Sequence, residues 1–152
     1  MCIRDRLHPV MQAARVRPGM CTAPSDLSGV RQLLKALKQG QTVGLLPDQV
    51  PPAGMGVWAP FFGRSAYTMT LAARLAQVPR TQVLLIWAER LNGGRGYVVR
   101  VRPWQELVGA PLAPEPQAAA AQINQAMQAV IGHCTAQYLC CLLYTSPSPR
   151  DS

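Results

Sequence analysis

The stretch from Pro47 to Gly63, PDQVPPAGMGVWAPFFG, limits the fold more than any other part of this chain. It holds Pro47, Pro51, Pro52 and Pro60 together with Gly54, Gly56 and Gly63. Proline fixes φ and has no N–H to donate, so a helix cannot run through such a segment and an interior strand cannot cross it unbroken. The first part, PDQVPPAGMG, reads as a loop, and VWAPFFGRSAY as extended or turning backbone.

Regular patterns lie on either side of this block. Leu7 to Pro24 is irregular, with a turn at RVRPG. A helix follows, capped by Ser25, with Leu27, Val30, Leu33, Leu34 and Leu37 on one apolar stripe. Arg31, Lys35 and Lys38 lie off that stripe, and Gly40 stops the helix. TVGLL then reads as a short buried strand ended by Pro47. Beyond the block, TMTLAARLAQ predicts a helix from Thr68 to Gln77. TQVLLIWAER predicts a strand, NGGRG a hairpin turn, and GYVVRVR a second strand with one wet face. A proline-spotted linker leads to a helix over 116–133, with Ile123, Met127 and Val130 on one side. The order α, β, α, β, β, α points to an α/β fold with a mixed sheet.

The two ends need separate treatment. One back-translation of Met1–Asp5, run into the next Arg codon, has a reverse complement that encodes Cys-Leu-Leu-Tyr-Thr, the stretch Cys141–Thr145. The element resembles the transposase adapter used in sequencing libraries, and SPSPRD fits its extension. We therefore expect residues 1–6 and 140–152 to be adapter-derived rather than native, and confine fold reasoning to residues 7–139. The whole chain carries a formal charge of +8. Setting the ends aside removes Arg4, Arg6, Arg150, Asp5 and Asp151 and leaves a clearly basic balance. Such a balance suits nucleic acid, an anionic membrane or a phosphorylated substrate, and equally serves solubility alone. The arginines are scattered rather than grouped with aromatics, so a nucleic-acid partner gains no support. Once the ends are removed, Cys21 and Cys134 are the cysteines left to interpret, and they have no metal-ligand spacing, so a reducing compartment is the default. The longest apolar run, VLLIWA, is strand-sized and too short to span a bilayer.

Few residues offer chemistry. Outside the adapter-derived ends, neither His8 nor His133 has an acidic neighbour within a helical turn or two, and both read as surface histidines. No serine-nucleophile elbow, phosphate-binding loop or dinucleotide fingerprint is present, and no metal or cofactor is expected. One constellation remains, GLLPDQVPPAGMGVWAPFFGRSAYTMT. A strand delivers Asp48 and Gln49 to its C-terminal end, a favoured site position in α/β folds. Phe61, Phe62 and Gly63 follow, then Arg64, then a helix opened by Thr68, whose free N–H groups favour an anion. The alternative is a Pro/Gly turn capped by Asp48, with Phe61 and Phe62 as core.

The ordered set G-x-x-V-x-L-L-P-D-Q, P and G, P-F-F-G-R, and T-x-T with A-x-L-A resembles the bacterial lipid A biosynthesis acyltransferases. These are the lauroyl/myristoyl transferase family within the lysophospholipid acyltransferase superfamily. SDLSGVRQLLKALKQG upstream, AER with GGRGY downstream, and AQYL near the end, similar to the family's P-x-Q-Y-x-W stretch, extend the resemblance over nearly all of residues 7–139.

The resemblance implies a partial acyltransferase domain, with a mixed central sheet flanked by helices, at the cytoplasmic face of the inner membrane. It implies transfer of an acyl chain from acyl carrier protein, as co-substrate, to a hydroxyl of a lipid A precursor. The family's catalytic signature is a His followed five positions later by an acidic residue, the His acting as general base. Five after His8 stands Ala13 and five after His133 stands Tyr138, so the signature is expected upstream of Leu7 and this chain is expected to be inactive alone. Asp48 would lie near the acceptor or hold the loop, and Gln49, Phe61, Phe62 and Gly63 would shape it. Arg64 and Arg90 are candidates for lipid A phosphates or the carrier's phosphopantetheine phosphate, though Arg90 equally fits an ordinary strand-end charge. Thr68 and Thr70 serve as helix caps if not as anion ligands. The acidic carrier and the anionic inner-membrane surface are the implied macromolecular partners. An acyltransferase acting on another membrane lipid, or a non-catalytic α/β binding domain, remains open on the sequence alone.

If the ends are foreign to the fold, a chain trimmed to residues 7–139 should keep the urea midpoint and slope of the full chain. A lower midpoint would place one or both ends in the folded structure.

Overall fold

In the computed structural model, residues 19–24 and 26–138 are described. The terminal segments, His8 and Ser25 lie outside the described residues. Four α-helices and four strands are arranged as helix α1 (Leu27–Lys38), strands β1 (Gly56–Phe61) and β2 (Arg64–Met69), helix α2 (Leu71–Ala76), strands β3 (Leu84–Arg90) and β4 (Tyr97–Pro103), and helices α3 (Trp104–Val108) and α4 (Pro116–Gly132). A 3-10 turn, Thr135–Gln137, follows α4. The class is α/β, as the element pattern implies, but the sheet differs from expectation. Among the described residues the strands form two separate antiparallel pairs, β1–β2 and β3–β4, instead of one mixed sheet.

Helix α1 begins one residue later than the sequence predicts. The Asp26 carboxylate accepts from Ser28 N–H at 2.8 Å and Gly29 N–H at 3.1 Å, which satisfies two of the orphan donors of the first turn. Its hydrogen bonds from the Ser28 hydroxyl and the Gly29 backbone hold its carboxyl below the usual carboxylate range. Gly29 is required by a close approach, because a Cβ there would lie 1.8 Å from the Pro24 carbonyl oxygen.

The hairpin β1–β2 is what the sequence reading missed. Phe62 and Gly63 form its two-residue turn, at φ 48° and 75°. Two consecutive positive φ values match the right-handed twist of the flanking strands. Strand β2 runs through Met69, with Thr68 and Met69 both buried, so the helix opens after Thr70 and not at Thr68. Pro60 sits within β1 opposite Ser65. It costs the pair nothing if its missing N–H points to a free edge.

Helix α4 packs against both hairpins. Pro116 starts it, where a missing N–H is no loss. Ala119, Ala120 and Ala126 are almost wholly buried and allow close approach. Ala119, Ile123 and Ala126 join Ala73 and Trp104 in one core cluster, which Val83 and Leu85 border. Ile131 joins Phe61 and Ala66 in a second, with Met127 and Tyr138 against it. Between the clusters lies Asn124, fully buried. Its amide donates to the Thr68 hydroxyl at 2.8 Å and to the Pro60 carbonyl at 3.1 Å.

The second hairpin departs from its predicted wet face. Its register sets Leu84, Ile86, Ala88 and Arg90 on one face with Pro103, Val101, Val99 and Tyr97. That apolar face is open among the described residues, with Ile86 and Val99 each 64% exposed. Leu85 and Trp87 turn to the opposite face, toward the helices, and bring Arg102 and Arg100 with them across the ladder. Arg100 is ion-paired to Glu89 at 2.9 Å and Arg102 to Glu106 at 3.3 Å. Alternation fixes which residues share a face, but the packing partner decides which face is wet.

Replacing Asn124 with Ala removes the donor to the buried Thr68 hydroxyl and to the part-buried Pro60 carbonyl. The loss should be about 1–3 kcal/mol in urea unfolding, against less than about 0.5 kcal/mol for Gln125→Ala on the exposed side of the same helix. Equal effects would remove Asn124 from its linking role.

Candidate functional site

The residues from Gln41 to Leu46 form neither helix nor strand, and the chain then turns over Pro47–Gln49. The predicted strand TVGLL is absent. A strand needs a ladder partner, and among the described residues no chain lies alongside to accept its hydrogen bonds. Asp48 accordingly sits in a turn rather than at the end of a central strand. It is half-buried, and its Oδ2 accepts a hydrogen bond of 3.1 Å from the Tyr138 hydroxyl.

Tyr138 is the hub that sequence reasoning did not single out. Its ring packs against the cluster of Phe61, Ala66 and Ile131 while its hydroxyl reaches Asp48. Its neighbour Gln137 makes a two-point contact with β3: its Oε1 accepts from Arg90 N–H at 2.8 Å, and its Nε2 donates to the Arg90 carbonyl at 3.1 Å. Asp48 and Arg90, distant in sequence, are thus tied to two consecutive residues at the end of one 3-10 turn.

The other candidates divide. Phe61 is fully buried beneath Tyr138, and Phe62 stands 47% exposed at the hairpin turn, its ring edge-on to Phe61 at 4.9 Å. A phenylalanine at positive φ is costly, and its N–H is held by the Gln128 side-chain oxygen. Gly63 completes that turn, and Arg64 lies exposed just after it. Gln49 is exposed. Thr68 is not available to a ligand. Buried in β2, it donates to the Ala66 carbonyl at 3.2 Å and accepts from Asn124. Thr70 precedes α2 without capping it through its side chain; its hydroxyl donates to the Met55 carbonyl at 3.3 Å.

Beside Asp48 a cleft of about 1180 Å³ opens between the Gln41–Asp48 segment, strand β3 and helix α4. Leu37, Leu45, Leu75, Leu85, Ile123 and Val130 give it apolar walls, while Asp48, Gln137 and Tyr138 contribute a polar group. Trp87 also lines it, and its ring stacks on His133 at 5.2 Å with planes 15° apart. The Trp87 indole N–H is buried without an acceptor among the described residues. Buried donors are nearly always satisfied, so such a group favours a ligand that brings an acceptor. His133 itself is exposed. An apolar cleft with a few grouped polar atoms is the usual form of a small-molecule site, and this one exceeds the common range of about 300–1,000 Å³.

A signal for Asn124 was present in the sequence, as a polar residue amid the apolar stripe of α4. Tyr138 and Gln137 had none except their place in AQYL, since hydrogen bonds over 90 and 47 residues leave no local pattern.

The model of one protein family, bacterial lipid A biosynthesis acyltransferase, matches residues 7–142. No curated protein matches the chain. The family match spans most of the chain, which therefore belongs to the bacterial lipid A biosynthesis acyltransferases, an acyltransferase family.

Two side chains hold the loop from Pro51 to Gly56: the Tyr67 hydroxyl accepts from Gly54 N–H at 2.9 Å and Gly56 N–H at 3.1 Å, and the Thr70 hydroxyl donates to the Met55 carbonyl at 3.3 Å. Tyr67→Phe should speed amide exchange at Gly54 and Gly56 and cost about 0.5–1.5 kcal/mol of stability. Unchanged exchange at both glycines would show that the Tyr67 hydroxyl does not hold the loop.

Proposed function

We propose that the protein from which this chain derives transfers an acyl chain from acyl carrier protein to a hydroxyl of a lipid A precursor, at the cytoplasmic face of the inner membrane. Membership of the lipid A acyltransferase family supports the lipid A-type substrate. The observation that carries the structural side of the reading is the cleft, an apolar trough suited to a hydrocarbon chain with a carboxylate, Asp48, grouped beside a phenol at its lining. The acyl chain would lie along Leu45, Leu75, Leu85 and Ile123, and burial of its methylenes would contribute about 0.8 kcal/mol each. Its thioester would reach the polar group, where the Trp87 indole N–H is a donor for a carbonyl oxygen.

In this reading Asp48 acts on the acceptor. Its carboxylate would accept a hydrogen bond from a sugar hydroxyl and hold it near the thioester carbon. Arg90 and Arg64, both exposed, would meet phosphate on the lipid or on the carrier's phosphopantetheine. The basic surplus of the chain suits both an acidic carrier and an anionic leaflet. No described helix is long and apolar enough to cross a membrane.

The general base would come from outside residues 7–139. His133 is committed to stacking on Trp87, and five positions after it stands Tyr138 instead of an acid. General acid–base assistance is worth on the order of 10²–10⁴-fold in rate.

The chain by itself should give no acyl transfer from dodecanoyl-loaded carrier protein to a lipid A precursor. When joined to the coding sequence that precedes Leu7 in its source, it should transfer, and Asp48→Asn should then lower kcat by at least about tenfold. Arg100→Gln, on the β3–β4 hairpin, should have little effect. Transfer by the chain alone would refute the assignment of the base, and full activity of Asp48→Asn would refute the role of Asp48.

A further inference from the structure

We propose that Gln137 and Tyr138 form a positioning clamp that ties the Asp48 turn to the Arg90 backbone at the end of β3 and so fixes the Asp48 carboxylate beside the cleft. The proposal rests on the functional reading above. Its basis is the hydrogen bonding of two consecutive residues. Tyr138 grips the Asp48 carboxylate at 3.1 Å. Gln137 grips both polar atoms of the Arg90 peptide, at 2.8 and 3.1 Å.

The Arg90 peptide group is not part of the β3–β4 ladder. Leu91 N–H donates to the Gly96 carbonyl across the hairpin at 2.9 Å. Successive amides of an antiparallel strand point to opposite sides, so the Arg90 amide faces the open edge of β3. Gln137 occupies that edge with the two-point match that a neighbouring strand would otherwise make. Gln137 is exposed. Exposed hydrogen bonds add little net stability and cost side-chain entropy, so the contact serves geometry more than folding energy. The Tyr138 ring is anchored on Phe61 and Ile131, which gives the clamp a rigid base in the core. Helix α4 carries the 3-10 turn that holds both residues, and the cleft wall is built from the same helix. Asp48 belongs to a segment without a strand partner, and Arg90 to the end of a strand with an open edge. Without the clamp, neither end of the pair has a fixed position relative to the other.

Two measurements on the full chain test this. Residue-resolved amide exchange should find the Arg90 amide protected, and Gln137→Ala should speed it by at least about tenfold while the Trp87 and Glu89 amides keep their rates. Equal exchange at Arg90 in both proteins would overturn the clamp. The second measurement is binding of a lipid A precursor in mixed micelles, followed by tryptophan fluorescence. Tyr138→Phe keeps the ring in its cluster and removes only the hydroxyl. It should weaken binding about two- to tenfold, and should add nothing further in an Asp48→Ala background. Additive losses would mean that Tyr138 acts through the core and not through Asp48, and would overturn its positioning role. If the unaltered chain fails to bind the precursor, the functional reading falls, and the exchange rates alone decide whether the clamp exists.

Discussion

Helix α4 is the element on which the rest of this structure depends, and Asn124 is its most constrained contact. The two hairpins share no ladder. What joins them is one helix whose residues enter both core clusters, Ile123 and Ala126 on one side and Ile131 on the other. A purely apolar stripe would allow the helix to slide or turn against the hairpin β1–β2. The buried amide of Asn124 has one satisfactory position, with its N–H groups on Pro60 and Thr68. Moving it by a turn would strand polar atoms in the core, at a cost of kilocalories. The Asn124 Oδ1, buried without a partner among the described residues, indicates that the arrangement tolerates a penalty to keep this register.

The site follows from that placement. With α4 fixed, its C-terminal turn carries Gln137 and Tyr138 to defined points on β3 and on the Asp48 turn. The cleft wall is the same helix, and its core residues Ile123, Ala126 and Ile131 are among those that line the cleft. A helix whose polar residue fixes the core and whose end fixes the candidate site couples stability to geometry. Changes to the core contacts of α4 should therefore be felt at Asp48, although none of those residues touches it.

The sequence made the periodic elements legible and left the long-range ones hidden. Helix α1, strands β3 and β4 and helix α4 have strong 3.6- or 2-residue periods, and their limits were read to within a few residues. The hairpin β1–β2 was obscured by Pro60 and by the helical look of TMTLAARLAQ, although Phe62-Gly63 at a two-residue turn was a signal. TVGLL reads as a strand by composition, but composition cannot supply a ladder partner. Of the candidate site residues, Asp48 and Arg90 are hydrogen-bonded to the consecutive residues Tyr138 and Gln137, and Phe61 packs beneath Tyr138. Thr68 was misassigned because strand alternation outlasted the expected helix start. The family was legible from the ordered block around LLPDQ and PFFGR, and the family match over residues 7–142 bears that resemblance out.

The central claim is that the cleft beside Asp48 receives the acyl chain. It is tested most directly by recording amide and indole resonances of the chain while adding dodecanoyl-phosphopantetheine. The account predicts a saturable shift of the Trp87 indole N–H, accompanied by shifts at Leu45, Leu85 and Tyr138. Shifts confined to the open face of β4, at Val99 and Val101, with the Trp87 indole unmoved, would contradict it.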